Sequence, residues 1–482
     1  MIQFKNYKGY LLVKLLKYIL HQVFRIMNSI IVNKLLFPIK DLGLNKEEKL
    51  IYNLKYLNKT QWYSLKEIKK IQEKRLRSLI NHAYHNVPYY HNLFRELKLK
   101  PDDFKNIQNI KKIPILTKDT IVKNFDQLKA INFSSKKFIN SSTGGSTGKP
   151  LNFLIDRSWS ANNMAAAYRS WSWAGYYLGD KMAFLWGSSK ELGRIKRNKL
   201  KNFDRVMRIK RFNAFDLTDK KMERYTQNLK KFNPKFINSY SSAIYSLSQF
   251  LLNEGISDLY PKSILTTADM LYKFKRKTIE DAFNCKVFDY YSSRETSFQA
   301  AECKEHNGYH MSLENAFIEF LKNNLPVNSN EKGKIIVTDL CNFSMPFIRY
   351  EIGDLGVPSD ELCSCGRKLP LMKSIEGRIL DIIVTPRGKK IPGEFFPSIF
   401  ATYHIKGIKN YQIIQNDKYN LVINIVKRED FNQNTFDFLT NIIKENIGED
   451  MNLDINFVEK IDIPSSGKRR PVISKVRSGA YK

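Results

Sequence analysis

Ser141-Ser142-Thr143-Gly144-Gly145-Ser146-Thr147-Gly148-Lys149-Pro150 decides how this chain of 482 residues is read. Ten residues hold three glycines, five hydroxyls and one lysine. Glycine lets backbone N–H groups approach phosphate oxygens closely, hydroxyls add donors, and lysine supplies charge. The run is not a Walker A loop. That pattern needs glycine where Thr143 stands and Ser or Thr where Pro150 stands. It reads as a phosphate-wrapping loop of another kind, with a solvated Ser/Gly turn as the bland alternative.

Around it lies a chain too long for one ordinary core, so two or more domains are expected. The 80 Lys and Arg against 47 Asp and Glu give a net charge of +33, a field that favours anionic partners. Lys, Asn and Ile enrichment runs through the whole chain, however. No arginine-rich stripe with interleaved aromatics and no zinc-finger or RNP pattern stands out, so nucleic acid is not the expected partner. Five cysteines, an odd number in a chain this size, fit a reducing cytoplasm better than a disulfide framework. Neither a secretory signal nor an apolar run long enough to span a bilayer is apparent. In residues 1–44, Leu11, Leu12, Leu15, Leu16, Ile19 and Leu20 recur near helical spacing among Lys8, Lys14, Lys17, Arg25 and Lys34. Such a basic amphipathic segment either lies in a membrane interface, placing the protein at the inner face of the membrane, or packs on the protein's own body.

The remaining pattern divides in two. Residues 45–379 begin with charged helical segments, one of them ended by Pro88 and another capped by Thr117. Short apolar runs then alternate with amphipathic ones: Met182–Trp186, Lys235–Asn238, Ser263–Thr267 and Lys286–Tyr290. This predicts an α/β domain with buried strands. Residues 380–482 change to strands at Ile382–Val384, Tyr411–Ile414 and Leu421–Val426 with two helices, one across Thr435–Asn446, a small α+β unit.

Four further motifs sit at useful places. Tyr291-Ser292-Ser293-Arg294-Glu295 follows the strand Val287–Tyr290, so an aromatic ring stands where a purine would stack and a carboxylate four residues on offers oxygen to Mg²⁺. Tyr350-Glu351-Ile352-Gly353-Asp354 puts an aspartate in a glycine-framed turn, suited to a ribose diol. Gly377-Arg378-Ile379-Leu380-Asp381 lies at the change of composition, where a hinge is expected. Ser466-Gly467-Lys468-Arg469 is a glycine–lysine turn in a basic tail.

In order and spacing these elements resemble the adenylate-forming superfamily, and within it the phenylacetate–CoA ligase-like branch that includes proteins of capsular polysaccharide biosynthesis. The resemblance runs from about Leu65 to the end. Arg75–Tyr90 and Ile113–Lys118 carry the branch, the loop and the four motifs carry the superfamily. It implies a large adenylate-forming domain of packed sheets and helices with a small mobile C-terminal domain. It also implies ATP, Mg²⁺, a small carboxylic acid, and a CoA or amine acceptor. Ser142, Thr143, Gly144, Gly145, Ser146, Thr147, Gly148 and Lys149 would hold phosphates. Tyr291 and Ser292 would lie at the adenine, Asp354 would bind the ribose hydroxyls, and Arg378 would assist at a phosphate or the ribose. Glu295 would ligate Mg²⁺, Asp381 would be the hinge, and Lys468 the catalytic lysine. Two departures are visible: Thr-Gly-Gly-Ser-Thr-Gly replaces the common Ser-Gly-Thr-Thr-Gly, and Arg294 stands where a small hydroxyl is usual.

Cys303, His306, Cys363 and Cys365 make a Cys₃His set of the kind that closes a structural Zn²⁺, with His310 competing for the fourth position. Two functions follow: a carboxylate-activating ligase serving cell-surface polysaccharide assembly, or a nucleotide-binding scaffold in a membrane-associated glycan assembly complex.

Overall fold

A computed structural model describes residues 48–133, 138–143, 151–187, 201, 203–214, 217–378, 383–391, 396, 407–448, 450–461 and 471–476. The basic segment 1–44 lies outside them.

Three helices open the described chain: α1 (Leu50–Thr60), α2 (Leu65–Asn86) and α3 (Pro88–Glu96). Ser64 starts α2 with a capping box: its hydroxyl accepts from the Glu67 amide while the Glu67 carboxylate accepts from the Ser64 amide. Pro88 does separate two helices. It opens α3 at the first position, where its missing N–H costs nothing. A short α4 (Lys118–Lys123) begins at Thr117, whose hydroxyl accepts from the Thr120 amide. A hairpin follows, β1 (Ile139–Ser142) against β2 (Asn152–Ile155), and then α5 (Arg157–Trp173).

The central feature is a sheet of twelve strands. Five run parallel: β4 (Ile209–Asn213), β3 (Met182–Trp186), β5 (Phe236–Tyr240), β6 (Ser263–Thr267) and β7 (Lys286–Ser292). Their connections carry α6 (Asp219–Phe232), α7 (Ser241–Asn253) and α8 (Lys273–Phe283). Every residue of β5 and β6 is buried, as a strand covered on both faces requires. One cluster, with Phe236, Leu265 and Phe288, packs beneath α5; another, with Ile237, Ile264 and Val287, packs beneath α7 and α8.

At β7 the sheet reverses, because β8 (Phe298–Glu302) pairs with it antiparallel. Beyond lie β9 (Tyr309–Met311), β10 (Ala316–Lys322), β11 (Leu325–Pro326), β12 (Gly333–Asp339), β13 (Tyr350–Ser359) and β14 (Leu371–Arg378), in the spatial order β8-β9-β14-β13-β12-β10-β11. The tail carries a small pair, β15 (Ile383–Val384) with β16 (Lys390–Ile391). It also has a four-stranded sheet of β17 (Ile408–Gln415), β18 (Asn420–Lys427), β19 (Asn452–Phe457) and β20 (Val472–Ser474). Ile413, Leu421, Ile423 and Ile425 bury one face of it against Leu439 and Ile443 of α9 (Gln433–Ile447), a separate core. Of the two helices expected there, α9 is the one among the described residues. The expected α/β body and α+β tail are both present.

Candidate functional site

Ligands of open parallel sheets bind outside the carboxyl ends of the strands. The end of β7 carries Tyr291 and Ser292, and the turn after it carries Arg294 and Glu295. That turn is held by its own bonds: the Ser293 amide donates to Ser297 O at 3.1 Å and the Thr296 amide to Ser293 Oγ at 3.0 Å. Tyr291 OH donates to Asp354 Oδ2 at 2.7 Å. Two motifs 63 residues apart thus meet. Glu295 is half-buried, and its Oε1 accepts from Tyr350 OH at a long 3.5 Å. That carboxylate keeps lone pairs for a hard cation, which fits the Mg²⁺ role.

Asp354 owes its place to a strained stretch. Arg349 adopts φ 54, a left-handed conformation uncommon outside glycine. It is fixed by Glu319, which accepts from Arg349 Nε at 3.0 Å and Nη2 at 3.1 Å, and by Ile113 O, which accepts from Nη1 at 2.7 Å. Gly353, at φ 90, lets β13 bend just before Asp354. Arg378, at the end of β14, is the ladder partner of Asp354 in β13.

The hairpin of β1 and β2 approaches from the other side. The Thr143 amide donates to Leu151 O and the Leu151 amide to Thr143 Oγ1, both at 2.9 Å, closing the base of the Ser/Thr/Gly run. Arg294 Nη1 donates to Ser142 O at 3.0 Å, tying this hairpin to the turn that carries Glu295. The structure therefore brings together Ser142, Thr143, Tyr291, Ser292, Glu295 and Asp354. Gly144, Gly145, Ser146, Thr147, Gly148, Lys149, Asp381 and Lys468 lie outside the described residues.

A buried polar network that the sequence did not suggest underlies β7. Asp289 accepts from Thr266 Oγ1 at 2.7 Å and Tyr309 OH at 2.9 Å, and Glu302 is gripped by Arg276 Nη2 at 2.7 and 2.8 Å. Burial, with the Glu302 charge nearby, pushes the Asp289 carboxyl up to about 7.

The cysteine set requires a correction. Cys303, Cys363 and Cys365 converge with His310, not His306, their ligand atoms all within 4.8 Å of one another. Strand register explains it: Ala301 pairs with His310, and cross-strand partners share a face with Cys303 two residues on. His306 sits instead in the turn at φ 50, its Nδ1 3.3 Å from Glu302 Oε2 and its ring against Phe288. Cys303 and Cys363 sulfurs stand 3.6 Å apart, and Cys365 Sγ is 3.3 Å from His310 Nε2. A tetrahedral Zn²⁺ has S···S and S···N edges of about 3.8 and 3.6 Å, so the set fits with slight expansion. His310 Nδ1 shares a hydrogen with Leu369 O at 3.1 Å, which aims Nε2 at the cluster. Burial lowers its pKa to about 4, keeping it a neutral ligand.

Comparison with known proteins bears on the fold and on kinship. Superposition on 2-hydroxyisobutyryl-CoA ligase in the postadenylation state gives a TM-score of 0.69 at 20% identity, covering 86% of this chain and 90% of that one. The fold is that of the adenylate-forming ligases. Residues 383–475 match the CapK C-terminal domain. Protein CapK of Staphylococcus aureus is 26% identical over 417 residues, 85% of this chain and 89% of its own length. Phenylacetate-coenzyme A ligase of Escherichia coli is 26% identical over 384 residues, 77% and 84% of the two chains. The chain is thus a relative of CapK and of the phenylacetate–CoA ligases, as its motifs implied.

Proposed function

We propose that this chain is an ATP-dependent ligase that activates a carboxylic acid as its acyl-adenylate, then passes the acyl group to a thiol such as CoA or to an amine. The observation that carries this is the contact between Tyr291 and Asp354 at the strand end that also presents Glu295, beside the closed base of the Ser/Thr/Gly run. In the first half-reaction a carboxylate oxygen attacks the α-phosphorus of ATP and the bond to the β-phosphate bridging oxygen breaks, releasing pyrophosphate. In the second, the acceptor attacks the acyl carbon and AMP leaves.

Charge repulsion dominates the first barrier, so positioning and positive charge are what the protein has to supply. Tyr291 and Asp354 orient the nucleoside, the run from Ser142 to Lys149 holds phosphates, and Lys468 brings charge to the reacting oxygens. Glu295 would hold Mg²⁺, which offsets phosphate charge. Asp381 serves as the hinge, and Cys303, His310, Cys363 and Cys365 hold Zn²⁺ in a structural role. Assembly of cell-surface polysaccharide is the process suggested by the likeness to CapK, and the basic amphipathic segment 1–44 suggests a place at the inner face of the membrane. Among the described residues no helix is long and apolar enough to cross a membrane.

Pyrophosphate release from Mg-ATP with a panel of acids tests the reading. Lys468→Ala should lower the rate about 10²–10³-fold, by analogy with loss of one transition-state donor, with ATP affinity little changed. Intact ATP binding without pyrophosphate release for any acid would favour the scaffold.

A further inference from the structure

The parallel strands have a second end, opposite the site, and cations gather along it. Arg208, Lys181, Lys235 and Lys262 come immediately before β4, β3, β5 and β6, which are neighbours in that order. Met182 pairs with Ile209 and with Phe236, and Phe236 pairs with Ser263, so the residues ahead of them stand level. Backbone bonds run along the row. The Met182 amide donates to Arg208 O at 3.1 Å, the Lys235 amide to Lys181 O at 2.9 Å and the Lys262 amide to Lys235 O at 2.8 Å. With neighbouring strands about 4.8 Å apart, the row is roughly 14 Å long.

Composition alone does not account for it. The residues just past the carboxyl ends of the same strands are Gly187, Ala214, Ser241 and Ala268, none of them charged. Helix carboxyl ends face the basic edge and favour cations, and Lys181 Nζ donates to Phe232 O at the end of α6, at 3.2 Å. The gathering goes further than that. Lys181 and Lys210 both bring their ammoniums to the Phe232 ring, 5.7 and 5.8 Å from its centroid. Lys262 is exposed, its ammonium lying over Gly175. The carboxylates at this edge are fewer: Asp180 meets Lys235 at 3.0 Å, Asp258 meets Lys230 at 2.8 Å, and Glu254 follows α7. Like charges this close repel one another, and an anionic surface laid across them relieves the repulsion.

Exposed aromatic rings flank the row. Tyr177 is 61% exposed and Tyr260 is 68% exposed. The Tyr177 amide donates to Asp180 Oδ2 at 3.0 Å, on the carboxylate that also holds Lys235, and Tyr260 is two residues ahead of Lys262. Tyrosine is enriched in the headgroup zone of a bilayer, its ring in the apolar boundary and its hydroxyl in water. Lysines near an anionic leaflet each add to binding.

We propose that this edge of the sheet is a lipid-docking face. Arg208, Lys181, Lys235 and Lys262 lie against anionic headgroups, with Tyr177 and Tyr260 at the interface. The proposal rests on the membrane placement given above and names the folded surface that achieves it, whichever acid is activated. It also fixes an orientation. β5 has five residues, about 17 Å of strand, so Tyr291, Glu295 and Asp354 at the far end open toward the water from which ATP arrives.

The test is co-sedimentation of the full chain with vesicles of phosphatidylcholine alone or mixed with phosphatidylglycerol. Binding should require phosphatidylglycerol and weaken with salt. Lys262→Gln should cost about fivefold in affinity, and Lys235→Gln with Lys262→Gln about 25-fold. Lys409→Gln with Lys418→Gln removes the same charge from the tail unit and should change affinity less than about twofold, since screening confines the effect to nearby charges. Far-UV circular dichroism checks that each variant is folded. Binding unmoved by the first pair, or lowered equally by both pairs, overturns the docking face and leaves membrane placement standing. No vesicle binding by the unaltered chain overturns both, with the ligase reading untouched. Tighter, row-dependent binding to an oligonucleotide than to the vesicles overturns the lipid assignment.

Discussion

Arg169 and Glu314 form an ion pair in which both side chains are 0% exposed, with Nη1 2.6 Å from Oε1. Ser312 Oγ accepts from Arg169 Nη2 at 2.9 Å, and Glu314 Oε1 also accepts from Thr60 Oγ1 at 2.7 Å, so the pair joins α1, α5 and the segment before β10. Satisfaction is incomplete: Arg169 Nε and Glu314 Oε2 have no partner among the described residues. Desolvating two charges consumes most of what their attraction returns. Losing one partner is different, since it strands the other charge in the core. Arg169→Met should therefore destabilise by about 3–5 kcal/mol, and Glu314→Gln by a similar amount. The double variant, with no stranded charge and with Gln still accepting from Thr60, should return to within about 2 kcal/mol of wild type. Urea unfolding followed by tryptophan fluorescence reads this cleanly, because the five tryptophans all fall between Trp62 and Trp186, far from the tail unit. A single Arg169→Met variant within about 1 kcal/mol of wild type, or a double variant no better than the single, would refute the reasoning.

Two further expectations concern the groups around β7. Purified protein should carry about one zinc per chain by elemental analysis, lost in Cys363→Ser and His310→Ala but kept in His306→Ala; equal loss in both histidine variants would remove the Cys₃His assignment. Asp289, raised to about 7 chiefly by burial, holds a proton in the native state from near pH 4 to near pH 7 while the unfolded chain has already lost it. Its contribution favours the fold at low pH and disappears as pH rises through 7, at up to about 1.4 kcal/mol per pH unit. Asp289→Asn should lack that decline, so its stability relative to wild type, from urea midpoints between pH 4.5 and 7.5, should climb with pH.

The parallel half of the sheet was legible in the sequence because burial on both faces leaves unbroken apolar runs, as in Ser263–Thr267 and Met182–Trp186. The antiparallel half was harder. Gln299 and Glu302 of β8 are buried yet polar, and their partners come from the turn after β7 and from α8, which no local pattern announces. Arg169 reads as an ordinary helix surface until Glu314 is found opposite it, 145 residues away. The nucleotide motifs were recognisable because glycine spacing and chemistry are local properties. The fourth member of the cysteine cluster was not, because choosing His310 over His306 needs the register of β8 against β9, and Gly308 at φ 82 sets that turn. Arg294 was visible as a departure, but its bond to Ser142 O depends on how two distant hairpins approach.

The junction near Leu116 has a consequence for how the protein is made. Leu116 bridges Tyr350, and one core cluster joins Leu76, Ile80, Phe94 and Ile121 to Leu340, Phe347 and Tyr350. A nascent chain must therefore wait for about 230 more residues before those early helices find their covering, on the order of 10–50 s at cellular elongation rates. During that interval their greasy flank faces the ribosome's surroundings, so newly made protein should lean on chaperones until β13 has left the exit tunnel.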